Sequence, residues 1–261
     1  MKNIIFIEGV SGVGKSTTVC ALNKKLCNLG YTVRYHIEGD SDSPLDLCWT
    51  AYLTIAEYEN LLLSYPMFAP EFSKNIIFQG DYILLRYQVG RTGIYSQEIN
   101  EKLHNRELCY NPTNAEPLSK FTEVFFNLWQ RFGESDNNFD FEIFDASLVS
   151  HMTNDLIRNY NASKDEIARH LNALLQTVEH FNPIIFYLST DNVLERLIKA
   201  RQSRGQTPLT DKQIEFWKKR KNIDLSVLPR LSIKPHIIDI SKENWDSAIN
   251  EIVLKTTKYN I

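Results

Sequence analysis

The N-terminal part of the chain alternates between short apolar runs and a stretch of helical periodicity. Residues 3–8, NIIFIE, form an apolar, β-branched run before Gly9, which is typical of a strand buried on both faces of a parallel sheet. Four apolar residues then recur at helical spacing, namely Val19, Leu22, Leu26 and Leu29. Gly30 supplies a helix stop signal, and residues 31–38, YTVRYHIE, predict a second strand. Together these elements predict a βαβ unit.

The same rhythm returns towards the other end of the chain. Three further strands are predicted, FDFEIFD at 139–145, IIFYL at 184–188 and HIIDI at 236–240. Ser163 and Glu166 match a capping box that opens a helix after the first of these strands, and another helix begins near Asp191. A closing helix follows the last strand. This alternation predicts an α/β fold with three αβα layers and a five-stranded parallel sheet.

The middle of the chain follows a different pattern. Residues 39–138 are dense in aromatic side chains, their apolar spacing is mostly helical, and no long alternating strand is evident. We therefore predict that residues 1–42 and 139–261 form the core, while residues 43–138 form a mostly helical insertion.

Composition narrows the class of protein. The chain has 261 residues and a net charge of -3, which argues against a protein that coats nucleic acid. The apolar run at residues 4–7 is too short for a signal peptide or a membrane span, so we expect a cytoplasmic protein without a membrane partner. The four cysteines show the spacing of neither a disulfide framework nor a zinc site.

A glycine-rich loop lies between the first predicted strand and the first predicted helix. Residues 9–16, GVSGVGKS, match the pattern GxxxxGK[ST], whose backbone N–H groups and helix dipole bind phosphate. We expect Lys15 to neutralise the β- and γ-phosphates of ATP, Ser16 to ligate Mg²⁺, and Thr17 to contact the α-phosphate. The predicted nucleotide-binding residues are Gly9, Val10, Ser11, Gly12, Val13, Gly14, Lys15, Ser16 and Thr17.

Carboxylates follow two of the predicted strands, at the sheet edge where ligands of such folds bind. Asp145 ends the third strand, and we expect it to hold Mg²⁺ with Ser16. Glu38, Asp40 and Asp42 follow the second strand. We favour Asp40 as the general base or hydroxyl-orienting group, with Asp42 or Glu38 as substitutes. A polar loop without a catalytic role is the alternative.

The segment from Arg196 to Lys221 is strongly basic, with nine Lys or Arg residues against two acids. We predict a lid near residues 200–222, in which Arg201 and Arg204 stabilise charge on the transferred phosphoryl group. Residues 218–221 are interpreted as a solvated basic helix face.

These motifs resemble the nucleoside and nucleotide kinase branch of P-loop proteins, the thymidylate kinases and their relatives. The resemblance rests on GVSGVGKS, EGD, FDAS and PIIFYLSTDNVLERLIKARQSRG, and it extends over residues 1–42 and 139–255. It implies a P-loop fold and a phosphotransferase. Ala146 and Ser147 follow Asp145 where thymidylate kinases carry an Asp-Arg pair, so a different acceptor is expected.

A second resemblance concerns the loop after the second strand. The string IEGDSDSPLDLCWTAY is similar to a group of uncharacterised bacterial P-loop ATPases or kinases. Small-molecule kinases of this fold, such as those for shikimate, gluconate or chloramphenicol, use a strand-two aspartate on the acceptor hydroxyl, a role that Asp40 would fill.

The insertion is the predicted acceptor-binding region. Asp81, Tyr82 and Arg86 are candidate substrate residues, and Tyr82 would lie one helical turn from Arg86 if their segment is helical. Three aromatic residues are candidates for stacking on a planar ring, namely Trp49, Tyr52 and Tyr87.

Our hypothesis is an ATP- and Mg²⁺-dependent phosphotransferase that acts on a nucleoside, nucleotide or antibiotic hydroxyl. One alternative is a nucleotide-binding regulatory ATPase or switch that phosphorylates no small molecule. Another is phosphorylation of nucleic-acid 5′ ends, with the basic segment as the binding surface. A homodimer is left open.

Overall fold

The computed structural model describes residues 3–40, 42–89, 92–93, 95–109, 116–136, 138–242 and 244–258. The strands of this part of the chain are β1 (Asn3–Glu8), β2 (Val33–His36), β3 (Thr50–Thr54), β4 (Ile76–Gln79), β5 (Tyr82–Arg86), β6 (Gln88–Val89), β7 (Thr92–Gly93), β8 (Phe141–Asp145), β9 (Ile184–Ser189) and β10 (His236–Asp239). Its α-helices are α1 (Lys15–Asn28), α2 (Ile55–Ser64), α3 (Ala69–Lys74), α4 (Gln97–His104), α5 (Leu118–Gly133), α6 (Val149–Tyr160), α7 (Lys164–Thr177), α8 (Val193–Ser203), α9 (Asp211–Val227) and α10 (Trp245–Lys258).

A five-stranded parallel sheet in the order β10-β9-β1-β8-β2 forms the centre of the molecule. Strand β1 lies in the middle, and Ile5 pairs with Ile143 of β8 on one side and with Ile184 of β9 on the other. Helices cover both faces of the sheet. The predicted three-layer αβα fold with a five-stranded parallel sheet is therefore confirmed.

Alternation along β1 explains how the sheet joins two cores. All six residues of β1 are buried. Ile4 and Phe6 belong to the apolar cluster shared with α5, α6 and α7, whereas Ile5 and Ile7 belong to the cluster shared with α1 and α10. Because successive side chains of a strand point to opposite faces, one short apolar run stabilises both sides of the sheet.

The insertion contains a second sheet that the sequence pattern did not indicate. Strands β3, β5 and β4 form an antiparallel sheet in that order, alongside the predicted helices. Ile83 and Leu85 pack against α2, α3 and α4, whereas Tyr82 and Leu84 pack towards α5. A strand that is buried on both faces shows no alternation of polar and apolar residues, which is why these short strands were not visible in the sequence pattern.

The segment of Tyr82 and Arg86 is a strand, so the condition under which these residues would lie one helical turn apart is not met. Both residues lie in β5, at its two ends. Four residues of extended chain separate their Cα atoms by about 13 Å, whereas one helical turn would separate them by about 6 Å.

Helix α9 differs from the predicted solvated basic face at two positions, Arg220 and Lys221, and the Lys221 ammonium donates to the Thr190 carbonyl at 2.7 Å. Lys218 and Lys219 are exposed as expected, but Arg220 is only 1% exposed. Its guanidinium forms an ion pair with Asp224 at 2.9 Å and donates to the carbonyl groups of Val149 and Ser150 at 3.1 and 3.0 Å. Arg220 is thus a buried link between α9 and the start of α6, because a buried charge must be paired and hydrogen-bonded.

None of the helices in the described part of the chain combines the length and the apolar character that crossing a bilayer requires.

Candidate functional site

The glycine-rich loop joins β1 to α1 and leaves its backbone facing outward. Val10 and Val13 are 2% and 0% exposed, so both side chains point into the core. Gly12 has a φ of +83°, and a Cβ atom there would meet the Leu197 Cα atom at 2.9 Å. Gly14 precedes the first residue of α1 and has no side chain to cap the helix. The unpaired N–H groups of the first helical turn therefore form a site for an anion.

Lys15, Ser16 and Asp145 meet beside this loop. The Lys15 ammonium lies 3.4 Å from the Val10 carbonyl oxygen, and the Ser16 hydroxyl donates to Asp145 Oδ2 at 2.6 Å. Asp145 is 1% exposed, and its Oδ1 has no hydrogen-bond partner in the part of the chain that the structure describes. A buried carboxylate oxygen without a donor beside a serine hydroxyl fits a hard divalent cation such as Mg²⁺. Burial raises the pKa of Asp145, although Lys15 and Ser16 oppose that effect.

Glu8, at the end of β1, ties the loop to α6. Its buried carboxylate accepts hydrogen bonds from the backbone N–H groups of Leu148 and Ser150 at 2.8 and 2.7 Å. The Ser150 hydroxyl also donates to Glu8 at 2.6 Å and accepts from the Gly9 N–H at 3.2 Å. Burial raises the pKa of Glu8, against the effect of these hydrogen bonds and of Lys15. The sequence analysis missed this residue, whose signal was an acid within a buried strand.

Beyond Asp145, three side chains form a hydrogen-bonded and charged group. His151 Nε2 lies 3.1 Å from Glu38 Oε1, and His151 Nδ1 lies 3.9 Å from Asp46 Oδ2. His151 and Asp46 are 4% and 6% exposed. Burial alone would lower the pKa of His151, but Asp46 and Glu38 raise it to about 9. We name this set the Glu38–His151–Asp46 cluster; sequence analysis identified neither His151 nor Asp46.

Glu38 faces both the phosphate loop and this histidine. Burial would raise the pKa of Glu38, but His151, Lys15 and Arg204 lower it to about 2. Its backbone N–H also lies 3.4 Å from Asp145 Oδ2. The carboxylate is therefore ionised at neutral pH and interacts with the lysine of the loop.

Asp40 and Asp42 have local partners instead. Asp40 Oδ1 accepts from the Asp42 N–H at 3.0 Å, and Asp40 Oδ2 lies 3.9 Å from His36 Nδ1. His36 Nε2 in turn lies 2.9 Å from Glu142 Oε1. The favoured base of the sequence analysis is thus held at the edge strand β2, one residue beyond the turn at Gly39.

The two arginines predicted for the lid differ in position. Arg201 donates from Nε and Nη2 to the carbonyl oxygen of Thr207, at 2.9 and 2.7 Å, and so closes the loop between α8 and α9. Arg204 ends α8, and its charge helps to lower the pKa of Glu38. Arg204 therefore acts on the site through its charge at Glu38, whereas Arg201 has a hydrogen-bond partner within the loop.

The structure does not bring together the three substrate candidates of the insertion. Asp81 is largely exposed and forms an ion pair with Lys120 at 3.5 Å. The buried Tyr82 hydroxyl accepts from Asn127 Nδ2 at 3.2 Å. Arg86 donates to the Ser43 carbonyl at 2.7 Å, and its charge interacts with the acids of the loop after β2.

The sheet order, the glycine loop between β1 and α1, and the Ser16–Asp145 contact define the αβα fold of P-loop proteins. Comparison with protein-family models finds no match, and comparison with curated protein sequences finds none. Solved structures of nucleotide-kinase-like P-loop proteins are similar in fold. Thymidylate kinase from Candida albicans is 15% identical with a TM-score of 0.47, covering 98% of this chain and 92% of that one.

Two further solved structures are of proteins that are named as kinases of small molecules. A gluconokinase from Sinorhizobium meliloti is 9% identical with a TM-score of 0.38, over 99% of this chain and 93% of that one. Shikimate kinase from Aquifex aeolicus is 11% identical with a TM-score of 0.36, over 98% of each chain.

Proposed function

We propose that the protein is a kinase that transfers the terminal phosphoryl group of ATP to a hydroxyl group of a small molecule. The observation that supports this most directly is the position of Glu38, an ionised carboxylate that interacts with Lys15 of the phosphate loop. A carboxylate here repels the phosphates unless it binds a metal ion or accepts a hydrogen bond from a hydroxyl group. Orienting an acceptor hydroxyl beside the phosphates is one role that such a carboxylate fills.

In this proposal the loop and the first turn of α1 bind the nucleotide. The N–H groups of residues 9–16 bind phosphate oxygens, Lys15 neutralises the β- and γ-phosphates, and Thr17 contacts the α-phosphate. Ser16 and Asp145 would hold Mg²⁺. Bound there, the ion supplies neutralisation of the charge on the phosphate oxygens.

Glu38 is the group that we assign to the acceptor. Its carboxylate accepts a hydrogen bond from the acceptor hydroxyl and aligns the oxygen with the terminal phosphorus. The new O–P bond forms as the bond to the ADP oxygen breaks; the acceptor O–H becomes acidic as its oxygen loses electron density, and its proton passes to the Glu38 carboxylate and from there to solvent. A pKa of about 2 makes Glu38 an orienting group more than a strong base, which suits a loose transition state with little demand for early proton removal. Asp40, the residue favoured by the sequence pattern, is the alternative candidate for this role, and mutagenesis of the two acids distinguishes between them.

The insertion is the region that we propose for the acceptor. It carries a cavity of about 640 Å³ whose lining includes Trp49, Tyr87, Tyr95 and Asn100, a volume suited to a small molecule. Trp49 directly follows the loop that contains Asp46. Within that loop the Cys48 N–H donates to Asp46 Oδ1 at 2.9 Å. The cavity is therefore connected by a short segment to the Glu38–His151–Asp46 cluster.

Release of ADP from ATP tests this function. We would screen nucleosides, nucleotides, aminoglycosides and a single-stranded oligonucleotide as acceptors, with the Lys15→Ala variant as the inactive form and Lys24→Ala, an exposed residue of α1, as the matched control. ADP release that depends on a small acceptor and is lost only in Lys15→Ala supports the kinase. Tight ATP binding without release on any acceptor contradicts the proposal and favours a switch, and release only with the oligonucleotide favours nucleic-acid phosphorylation.

A further inference from the structure

The two acids of the loop after β2 each face a buried histidine, and each histidine contacts a second carboxylate. Glu38 contacts His151, which faces Asp46. Asp40 faces His36, which contacts Glu142. The two arrangements flank Gly39, whose φ of +82° turns the chain between them.

The arrangement around Glu38 is closed. His151 Nε2 is within hydrogen-bond distance of Glu38 Oε1 at 3.1 Å. Asp46 is fixed by two backbone donors, the N–H groups of Gly39 at 3.3 Å and Cys48 at 2.9 Å. His151 Nδ1 lies 3.9 Å from Asp46 Oδ2, beyond hydrogen-bond distance, so the fixed Asp46 carboxylate acts on the ring through its charge, whereas Glu38 is hydrogen-bonded to the ring.

The arrangement around Asp40 is open. His36 Nδ1 is buried and has no hydrogen-bond partner among the described residues, and its distance of 3.9 Å to Asp40 Oδ2 exceeds a hydrogen bond. The Nε2 atom of His36 shares Glu142 with Arg34, whose Nε donates to the same carboxylate oxygen at 2.7 Å. This histidine therefore serves the contact between β2 and β8 and forms no hydrogen bond with Asp40, whose Oδ1 accepts from the Asp42 N–H instead.

From this difference we propose that His151 is a positioning residue: its hydrogen bond at 3.1 Å fixes the Glu38 carboxylate beside the phosphate loop, whereas His36 makes no such contact with Asp40. The proposal rests on the proposed function, because Glu38 acts there on the acceptor hydroxyl. It predicts that phosphoryl transfer depends on a residue that touches neither substrate.

The physical need for such an anchor follows from the exposure of Glu38. Its side chain is 52% exposed, and a glutamate at a surface turn samples many rotamers, whose loss opposes the reaction entropically. A hydrogen bond from a buried ring restricts that freedom before the acceptor arrives, which lowers the entropy lost in reaching the reactive geometry.

The location of His151 disfavours a positive charge on its ring, which the carboxylates of Asp46 and Glu38 stabilise. The residue lies in the first turn of α6, where the positive end of the helix dipole disfavours a cation. Burial disfavours the same charge. The charges of Asp46 and Glu38 offset both effects and stabilise the imidazolium.

Substitution of the two histidines tests the proposal with a matched pair. We would measure kcat, the acceptor KM and the Kd for ATP in His151→Ala, His151→Gln and the control His36→Gln, and verify folding by the unfolding midpoint. We expect His151→Ala to lower kcat by about 10²-fold, with the Kd for ATP within about twofold of the wild-type value, whereas His36→Gln leaves kcat unchanged. His151→Gln should recover part of kcat, because an amide N–H can still donate to Glu38. Equal kcat in His151→Ala and the wild type would overturn the positioning role, as would a loss in His36→Gln alone.

A spectroscopic measurement separates this proposal from the proposed function. ¹⁵N spectra of the imidazole rings at pH 7 should show both nitrogens of His151 protonated, and the Asp46→Asn variant should show a neutral ring at a lower pH than the wild type. A neutral His151 ring in the wild type at pH 7 would contradict the cluster, whatever the enzyme activity. Absence of ADP release with every acceptor, together with a protonated His151 ring, would contradict the proposed function instead.

Discussion

The indole ring of Trp245 closes the space above Gly14. A Cβ atom placed on Gly14 would come within 2.5 Å of the Trp245 Cη2 atom, and Gly14 has a φ of +92°. The ring is itself held in place, because the Arg196 guanidinium lies 5.4 Å from its centroid and donates to the Ile240 carbonyl at 2.7 Å. The last residue of the phosphate loop before Lys15 is therefore confined from two sides, by its own backbone conformation and by the first residue of α10.

Gly14→Ala should therefore weaken ATP binding more than it weakens the fold. A left-handed alanine costs about 1–2 kcal/mol, and displacement of the indole shifts the N–H groups that bind phosphate. Gly30→Ala is the matched control, because Gly30 has a φ of +91° and nothing within 4 Å of the added Cβ atom. We expect both variants to lose stability in urea, Gly14→Ala the more because of its clash with Trp245, and a rise of at least tenfold in the Kd for ATP only in Gly14→Ala. An equal Kd in the two variants would exclude the contact with Trp245 as the cause.

Glu38→Gln and Asp40→Asn distinguish the two candidate acceptor acids. Glu38→Gln should lower kcat by about 10²-fold or more. A neutral amide accepts a hydrogen bond from the hydroxyl more weakly than a carboxylate does, and it cannot accept the hydroxyl proton. Asp40→Asn should leave kcat within about threefold, because Asp40 contacts Asp42 and faces His36. Steady-state kinetics at saturating ATP would provide the comparison. A larger loss of kcat in Asp40→Asn than in Glu38→Gln would instead assign the orientation of the acceptor hydroxyl to Asp40, as the sequence pattern favours.

Arg204 and Arg201 form a second matched pair. Arg204→Ala should lower kcat by about 10²-fold, because its charge acts at Glu38, next to the phosphate loop. Arg201→Ala removes the hydrogen bonds to Thr207 and should instead increase proteolysis of the loop between α8 and α9. Limited proteolysis and initial rates on both variants measure the two effects separately. A larger kcat effect for Arg201 would place the phosphate-binding arginine there.

The stability of the protein should decrease in mild acid because of His170. Burial lowers the pKa of this residue to about 4, next to the rings of Phe121 and Phe125. Below pH 6.5 the His170 side chain binds a proton in the unfolded chain but stays neutral in the folded protein. Stability is therefore lost as the pH falls towards 4. The loss attributable to His170 is about 3 kcal/mol.

His170→Leu should remove this component. Urea unfolding at pH 7 and pH 4.5 should show a smaller pH dependence for His170→Leu than for the wild type. Arg169→Leu, a change at the exposed neighbouring position, should keep the wild-type dependence. An unchanged pH dependence in His170→Leu would show that other groups cause the acid loss.

The sequence predicts the nucleotide end of the site far better than the acceptor end. The phosphate loop is visible because its chemistry lies in consecutive residues between a strand and a helix, and Asp145 is visible because it ends a strand. His151 contacts Glu38 across 113 residues of chain, and nothing near either residue in the sequence announces the contact. Such pairs arise from the packing of α6 against the end of the sheet.

The errors in the insertion have a comparable physical origin. The strand YILLR of β5 is apolar at nearly every position because both of its faces are buried, so its pattern does not differ from that of a buried helix. Arg220 was assigned to a solvated face because its neighbours are lysines, although its partners Val149 and Ser150 lie about 70 residues away.

The sheet order has a consequence for how the chain folds. Neighbouring strands β2 and β8 carry partners that are 108 residues apart in sequence, such as Arg34 and Glu142, and closing so long a loop costs about 4 kcal/mol of chain entropy. Strands β4 and β5 need only the short turn at Gly80 and Asp81 between Gln79 and Tyr82. We expect this hairpin to form first, because its contacts are local. Its formation shortens the flexible chain between β2 and β8, and so lowers the entropy lost when these two strands pair.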